Sequence, residues 1–171
     1  MQSGAPERPL VVIPARGGSK RIPNKNIRML HDKPLLTWTI EFALSVDMFS
    51  EVIVSTDSSQ TETIANHAGA IVPALRPPEI AADSASTVQV LQHALRTQLQ
   101  HVEDERPICC LYPAAVCLEK VDLEKSLSLL HDSGASFIAS VTRYAHPIQR
   151  AFRQSERGIV MMDPTTSAIR T

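Results

Sequence analysis

Long hydrophobic runs are missing from this chain. A helix that crosses a membrane needs about 20 consecutive apolar residues, so no such span is expected. Residues 1–9 are polar and hold no apolar core of the kind a secretory signal requires. They read as a disordered tail over residues 1–8, and the expected location is the cytoplasm. An excess of charge of one sign is also missing, since the formal net charge is −1. Nucleic-acid polymers are therefore poor candidate partners, because they call for a broad positive face. Cysteine is scarce and odd in number: Cys109, Cys110 and Cys117 show no C-x-x-C spacing. Cys109 and Cys110 fall in an apolar run and read as buried reduced thiols. No internal repeat and no low-complexity linker divides the chain. With 171 residues, 43% of them hydrophobic, one globular domain over residues 9–171 is expected.

What is present alternates between short apolar runs and helical patterns. Residues 10–13, 51–55, 70–73, 108–112 and 137–141 read as strands. Pro34 opens a helix whose stripe is Leu36, Ile40, Ala43 and Leu44. Ser58 or Ser59 caps a second helix that runs to about His67 and stops at Gly69. Val88, Leu91, Leu95 and Leu99 mark a third helix. Leu123, Leu127 and Leu130 mark a fourth, with Gly134 after it. Gly158 turns a hairpin between residues 151–153 and 159–162. This order predicts right-handed βαβ units in a three-layer α/β fold, with helices on both faces of a mostly parallel sheet. Ligands of such sheets sit at the carboxyl ends of the strands.

One loop concentrates the chemistry. The run Val11-Val12-Ile13-Pro14-Ala15-Arg16-Gly17-Gly18-Ser19-Lys20-Arg21-Ile22-Pro23-Asn24-Lys25-Asn26 passes from an apolar strand into a proline-bounded, glycine-containing, cationic segment. Glycines admit close backbone approach, and consecutive N–H groups can form an anion-binding concavity. Arg16, Lys20, Arg21 and Lys25 suit the same segment to a polyphosphate. The loop lacks the G-x-x-x-x-G-K-[ST] spacing of a P-loop and the G-x-G-x-x-G of a dinucleotide fold. A merely solvated basic loop is the plainer alternative. Topology brings this loop together with Ser55-Thr56-Asp57, the 76–87 loop and the turn after Tyr112.

The run from Ile13 to Asn26 resembles the signature loop of the cytidylyltransferases that activate acidic nine-carbon sugars, the CMP-sialic acid synthetases and their relatives. Ile53-Val54-Ser55-Thr56-Asp57 resembles their second-strand motif. Leu75-Arg76-Pro77-Pro78-Glu79-Ile80-Ala81, followed by Asp83, Ser86 and Thr87, resembles their cytidine-side loop. Tyr112-Pro113, Ser140-Val141-Thr142 and His146-Pro147-Ile148-Gln149-Arg150-Ala151 are similar to the pseudaminic acid branch; the sialic acid enzymes usually carry glutamine where Tyr112 stands.

The resemblance implies a Rossmann-like fold of the nucleotide-diphospho-sugar transferase kind. It implies transfer of CMP from CTP to a nonulosonic acid, most closely pseudaminic acid, with release of pyrophosphate, for surface glycan biosynthesis. Arg16 and Lys25 would be the catalytic cations that hold the triphosphate. Ala15, Gly17, Gly18, Ser19, Lys20, Asn26, Arg76, Asp83 and Thr87 would complete the nucleotide site, with the Gly17-Gly18 amides cradling phosphate oxygens. Tyr112, Gln149 and Arg150 would face the sugar acid, Arg150 pairing with its carboxylate.

Structural uses compete at several of these positions. Arg76 can brace its proline-rich loop. Asp83 can cap the next helix or orient its loop, Asp57 can cap its own helix, and Tyr112 can simply pack. His146 reads as a loop histidine rather than a base. Two departures from the family pattern stand out. Ala114-Ala115-Val116 replaces a hydroxyl-bearing P-[TS]-x-P turn. The sequence also ends at Thr171, before a strand whose aspartate would help to hold Mg²⁺ and before much of a homodimer-forming arm. Mg²⁺ is thus expected with CTP, with no protein metal ligand assigned. The alternatives are a nucleotide-binding chain without turnover, or a sialic, legionaminic or 3-deoxy-octulosonate cytidylyltransferase.

Overall fold

Four consecutive residues, Leu10, Val11, Val12 and Ile13, are fully buried. Burial on both faces of a strand is the mark of a parallel sheet covered by helices. The structure, a computed structural model, describes residues 8–19, 22–98, 106–143, 151–156 and 158–162. It divides into two compact units, residues 1–122 and 123–171.

In the first unit, β1 (Leu10–Pro14) lies between β4 (Glu51–Ser55) and β5 (Ile108–Cys110), parallel to both. Val12 pairs with Ile53 on one side and with Cys110 on the other. A single bridge from Ile71 to Ile53 is all that forms of the strand expected at 70–73. Leu10, Val12 and Ile53 pack with Ala94, Leu91 and Leu95 of α4 (Thr87–Gln98). Side chains alternate across a strand, so Val11, Ile13, Val52 and Val54 face the opposite layer. That layer is built from α1 (Leu35–Ser45), which packs on β4, and α2 (Ser59–His67), which packs on α1. The three-layer α/β arrangement read from the sequence is thus the one observed.

Local signals explain where elements begin and end. In α1, Leu36, Thr39, Ile40 and Ala43 are buried, the spacing of one helical face. Leu44, expected in that stripe, is 49% exposed; it sits at the stripe's edge and leans over Gly69, whose φ of +92° ends α2. Ser58 caps α2 through its side chain, which accepts from the Thr61 N–H. Ser86 and Gln89 form a reciprocal capping box at the start of α4. The α4 stripe centres on Val90 and Ala94 rather than on Val88, which is 60% exposed. Small Ala94 lets the helix lie close to the sheet and sets that rotation.

Three short elements left no pattern in the sequence: β2 (Met29–Leu30), β3 (Lys33–Pro34) and α3 (Pro78–Ala81). Cys109 and Cys110 are free and only half-buried, less than expected. Burial, with a smaller push from Cys110, still raises the Cys109 thiol to about 11.

α5 (Lys120–Ser133) ends before Gly134, with Leu123 buried and Leu127 and Leu130 half-buried. In the second unit, β6 (Phe152–Ser155) and β7 (Gly158–Met161) form the expected hairpin, with Gly158 at φ +105°. The strand expected at 137–141 is not observed: Phe137 and Val141 are 78% and 92% exposed and carry no strand pairing. Among the described residues, no helix is long and apolar enough to cross a membrane.

Candidate functional site

β1 and β4 end side by side, and the loop that leaves β1 lines a cavity of about 610 Å³. Arg16, Lys25, Asn26 and Arg76 line it together with Asp83 and Tyr112. Cations from two separate segments, the loop after β1 and the segment of Arg76, therefore meet in one cleft at the carboxyl edge of the sheet. Apolar side chains complete the wall, among them Ile22, Ile80 and Val90, none of which the sequence pattern singled out.

The loop after β1 is fixed from below. The Ala15 N–H donates to the Ser55 carbonyl at 2.8 Å, and Ala15 is fully buried. Ala15 thus lies beneath the site with its N–H already engaged. The Gly17 N–H donates to Asp57 Oδ1 at 2.8 Å, and the Ser19 N–H to the Gly17 carbonyl at 3.0 Å. The expected cradle of Gly17-Gly18 amides is therefore not formed in this state, because the Gly17 donor is already engaged. Gly17 must be glycine for another reason: a Cβ there would lie 2.9 Å from Ser58 Cβ. Gly18 is exposed and open. Asn24 takes φ +55° and starts the 3-10 turn Lys25–Ile27, which sets Lys25 and Asn26 against the cleft.

Asn26 is buried, and its Nδ2 donates to the Arg16 carbonyl at 2.8 Å. Its Oδ1 has no partner among the described residues. A buried acceptor left unmet is costly. Any ligand contact through that atom must come from a donor, such as a hydroxyl or an amine, and not from a phosphate oxygen.

Arg76 is 7% exposed. Its backbone N–H donates to the Thr56 carbonyl at 2.7 Å and its Nη2 to the Ser55 carbonyl at 3.1 Å. Nη1 reaches the Ile80 carbonyl at a long 3.5 Å, and Nε is buried without a partner among the described residues. Arg76 thus braces its loop and lines the cavity at once. Burial lowers its pKa, Asp57 opposes that shift, and Arg16 adds to it.

Arg16 forms an ion pair with Asp83 across the cleft. Asp83 does not cap α4, a role taken by Ser86. Nor does Asp57 cap α2. Its carboxylate turns back to Gly17, a use the sequence reading did not assign, although the better cap Ser58 immediately after it was a usable signal. The Thr87 and Tyr112 hydroxyls share a hydrogen bond at 3.1 Å, which links the start of α4 to the segment after β5. Lys20, Gln149 and Arg150 lie outside the described residues, as does His146.

Among the described residues, no cluster of three or more His, Cys, Asp or Glu side chains could hold a metal ion. Asp57 and Asp83 beside the cleft are both engaged, with Gly17 and Arg16. No protein ligand to Mg²⁺ is assigned among these residues.

A cationic cleft at the carboxyl end of a parallel sheet is where α/β proteins take their ligands, and its charge suits an anion. The cytidylyltransferase family pattern matches residues 10–164, and the chain belongs to that family. It is similar to a pseudaminic acid cytidylyltransferase of Campylobacter jejuni, 37% identical over 153 residues, covering 90% of this chain and 66% of that protein. It is also similar to an N-acylneuraminate cytidylyltransferase of Escherichia coli, 41% identical over 142 residues, covering 82% of this chain and 32% of that protein. A solved structure of CMP:2-keto-3-deoxy-manno-octonic acid synthetase complexed with CTP has a TM-score of 0.61 at 25% identity, covering 75% of this chain and 49% of that one. The chain thus spans no more than two thirds of the length of the relatives it matches.

Proposed function

We propose that this chain binds CTP in the cleft at the end of β1 and belongs to an enzyme that transfers CMP to pseudaminic acid, releasing pyrophosphate. The convergence of Arg16, Lys25 and buried Arg76 on one cavity carries this reading. The similarity to a pseudaminic acid cytidylyltransferase supports the acceptor, as does Tyr112 at the cavity wall.

In the proposed reaction, the anomeric hydroxyl oxygen of the sugar acid attacks the α-phosphorus of CTP. The bond from that phosphorus to the bridging oxygen breaks, and pyrophosphate leaves in line. The hydroxyl proton passes to solvent. Such a transfer depends on positioning and on neutralising charge. Arg16 and Lys25 hold the triphosphate and stabilise the charge on the leaving pyrophosphate, with Lys20 assisting. Arg16 must give up Asp83 to do so. Asn26 Oδ1 accepts from a ribose hydroxyl or the base amine. Arg76, Asp83 and Thr87 form the cytidine side of the site. Tyr112, Gln149 and Arg150 face the sugar acid. Mg²⁺ accompanies the triphosphate, and no step here runs through it.

Pyrophosphate release with CTP and pseudaminic, sialic or legionaminic acid tests the proposal. Release with pseudaminic acid above the other two is the expected result. Preference for another acid would reassign the acceptor. CTP binding with no release from any acid would leave a nucleotide-binding chain without turnover.

A further inference from the structure

Asp57 stands where the loop after β1, the end of β4 and the segment of Arg76 are bonded together. Its carboxylate accepts the Gly17 N–H at 2.8 Å, from the loop that carries Arg16. It belongs to the same short stretch as Ser55 and Thr56, whose carbonyls receive Nη2 and the backbone N–H of Arg76. The loop passes so close here that Ser58 Cβ excludes any side chain at position 17. Helix capping does not explain Asp57, because Ser58 caps α2. A carboxylate held this way fixes the orientation of the peptide that precedes Gly17, and with it the direction in which Arg16 leaves the backbone. It also places a negative charge near Arg76, against the effect of burial there.

We propose that Asp57 is a positioning residue. It ties the phosphate-binding loop to the end of β4, and through Gly17 it holds Arg16 in place for the triphosphate. This inference rests on the proposed CTP site. Asp57 touches no substrate atom in this account; it acts through Gly17.

The test compares wild type with Asp57→Ala and Asp57→Asn by calorimetric titration with CTP and with cytidine, alongside thermal melts. Asp57→Ala should bind CTP weaker by about tenfold, the scale of one hydrogen bond that orders the loop. Its cytidine affinity should stay within about twofold of wild type, since cytidine has no phosphate for the loop to hold. Asp57→Asn keeps an oxygen for the Gly17 N–H and should recover most of the loss. Equal losses for CTP and cytidine would show a merely structural role. An Asp57→Asn variant as impaired as Asp57→Ala would also overturn the inference. Should Asp57→Ala fail to fold, Asp57→Ser, too short to reach Gly17, takes its place under the same criteria. Absence of CTP binding in wild type would refute the CTP site itself; intact binding in Asp57→Ala would refute only the positioning role.

Discussion

Gly17 shows how much one position can constrain. It stands where an added Cβ would meet Ser58 Cβ at 2.9 Å, and its N–H is held by Asp57. Ser58 Cβ is fixed to the backbone at the N-cap of α2 and cannot swing aside as the tip of a long side chain could. Gly17→Ala should therefore lower unfolding free energy by about 1–3 kcal/mol, the range for forced overpacking, as read from urea denaturation. It should also weaken CTP binding, because the loop that carries Arg16 must move. Unchanged stability would mean that the loop is softer than its contacts suggest. The glycine pair and the cations around it were legible in the sequence as one segment of fixed shape. The partners of that segment were not. Asp57 reaches Gly17 across 40 positions, and Arg16 reaches Asp83 across 67. Contacts of that separation leave no local spacing to read.

At the scale of elements, legibility followed the strength of the local signal. β1 and β4 are near-continuous apolar runs, and both were placed within a residue of their observed ends. α2 has a serine cap and a glycine stop and appeared where both predicted. Ser58→Ala should cost about 1 kcal/mol, measurable as a lower denaturation midpoint, because the Thr61 N–H then loses its acceptor. No change would mean that water satisfies the helix end equally well. The phase of α4 was misjudged because Val88 carries an apolar label but lies off the buried face, while small Ala94 sits at its centre. The apolar residues at 137–141 read as a strand because strand formation depends on a pairing partner, which no single segment reveals. The two-residue strands β2 and β3 are too short to show a period at all.

At the scale of the molecule, the βαβ order was sufficient to place the cleft. It predicted a cleft at the carboxyl ends of the strands, and Arg16, Lys25, Asn26 and Arg76 meet there. What the order could not supply was the state of the charges inside. Arg16 is paired with Asp83, and Arg76 is buried against backbone carbonyls. An incoming triphosphate therefore has to compete for Arg16. The central claim is that these cations form a CTP site, and calorimetric titration of CTP with Mg²⁺ into wild type, Arg16→Ala and Lys25→Ala tests it most directly. The account predicts saturable binding by wild type, weakened about tenfold or more in each variant. Equal CTP affinity in all three proteins would contradict it.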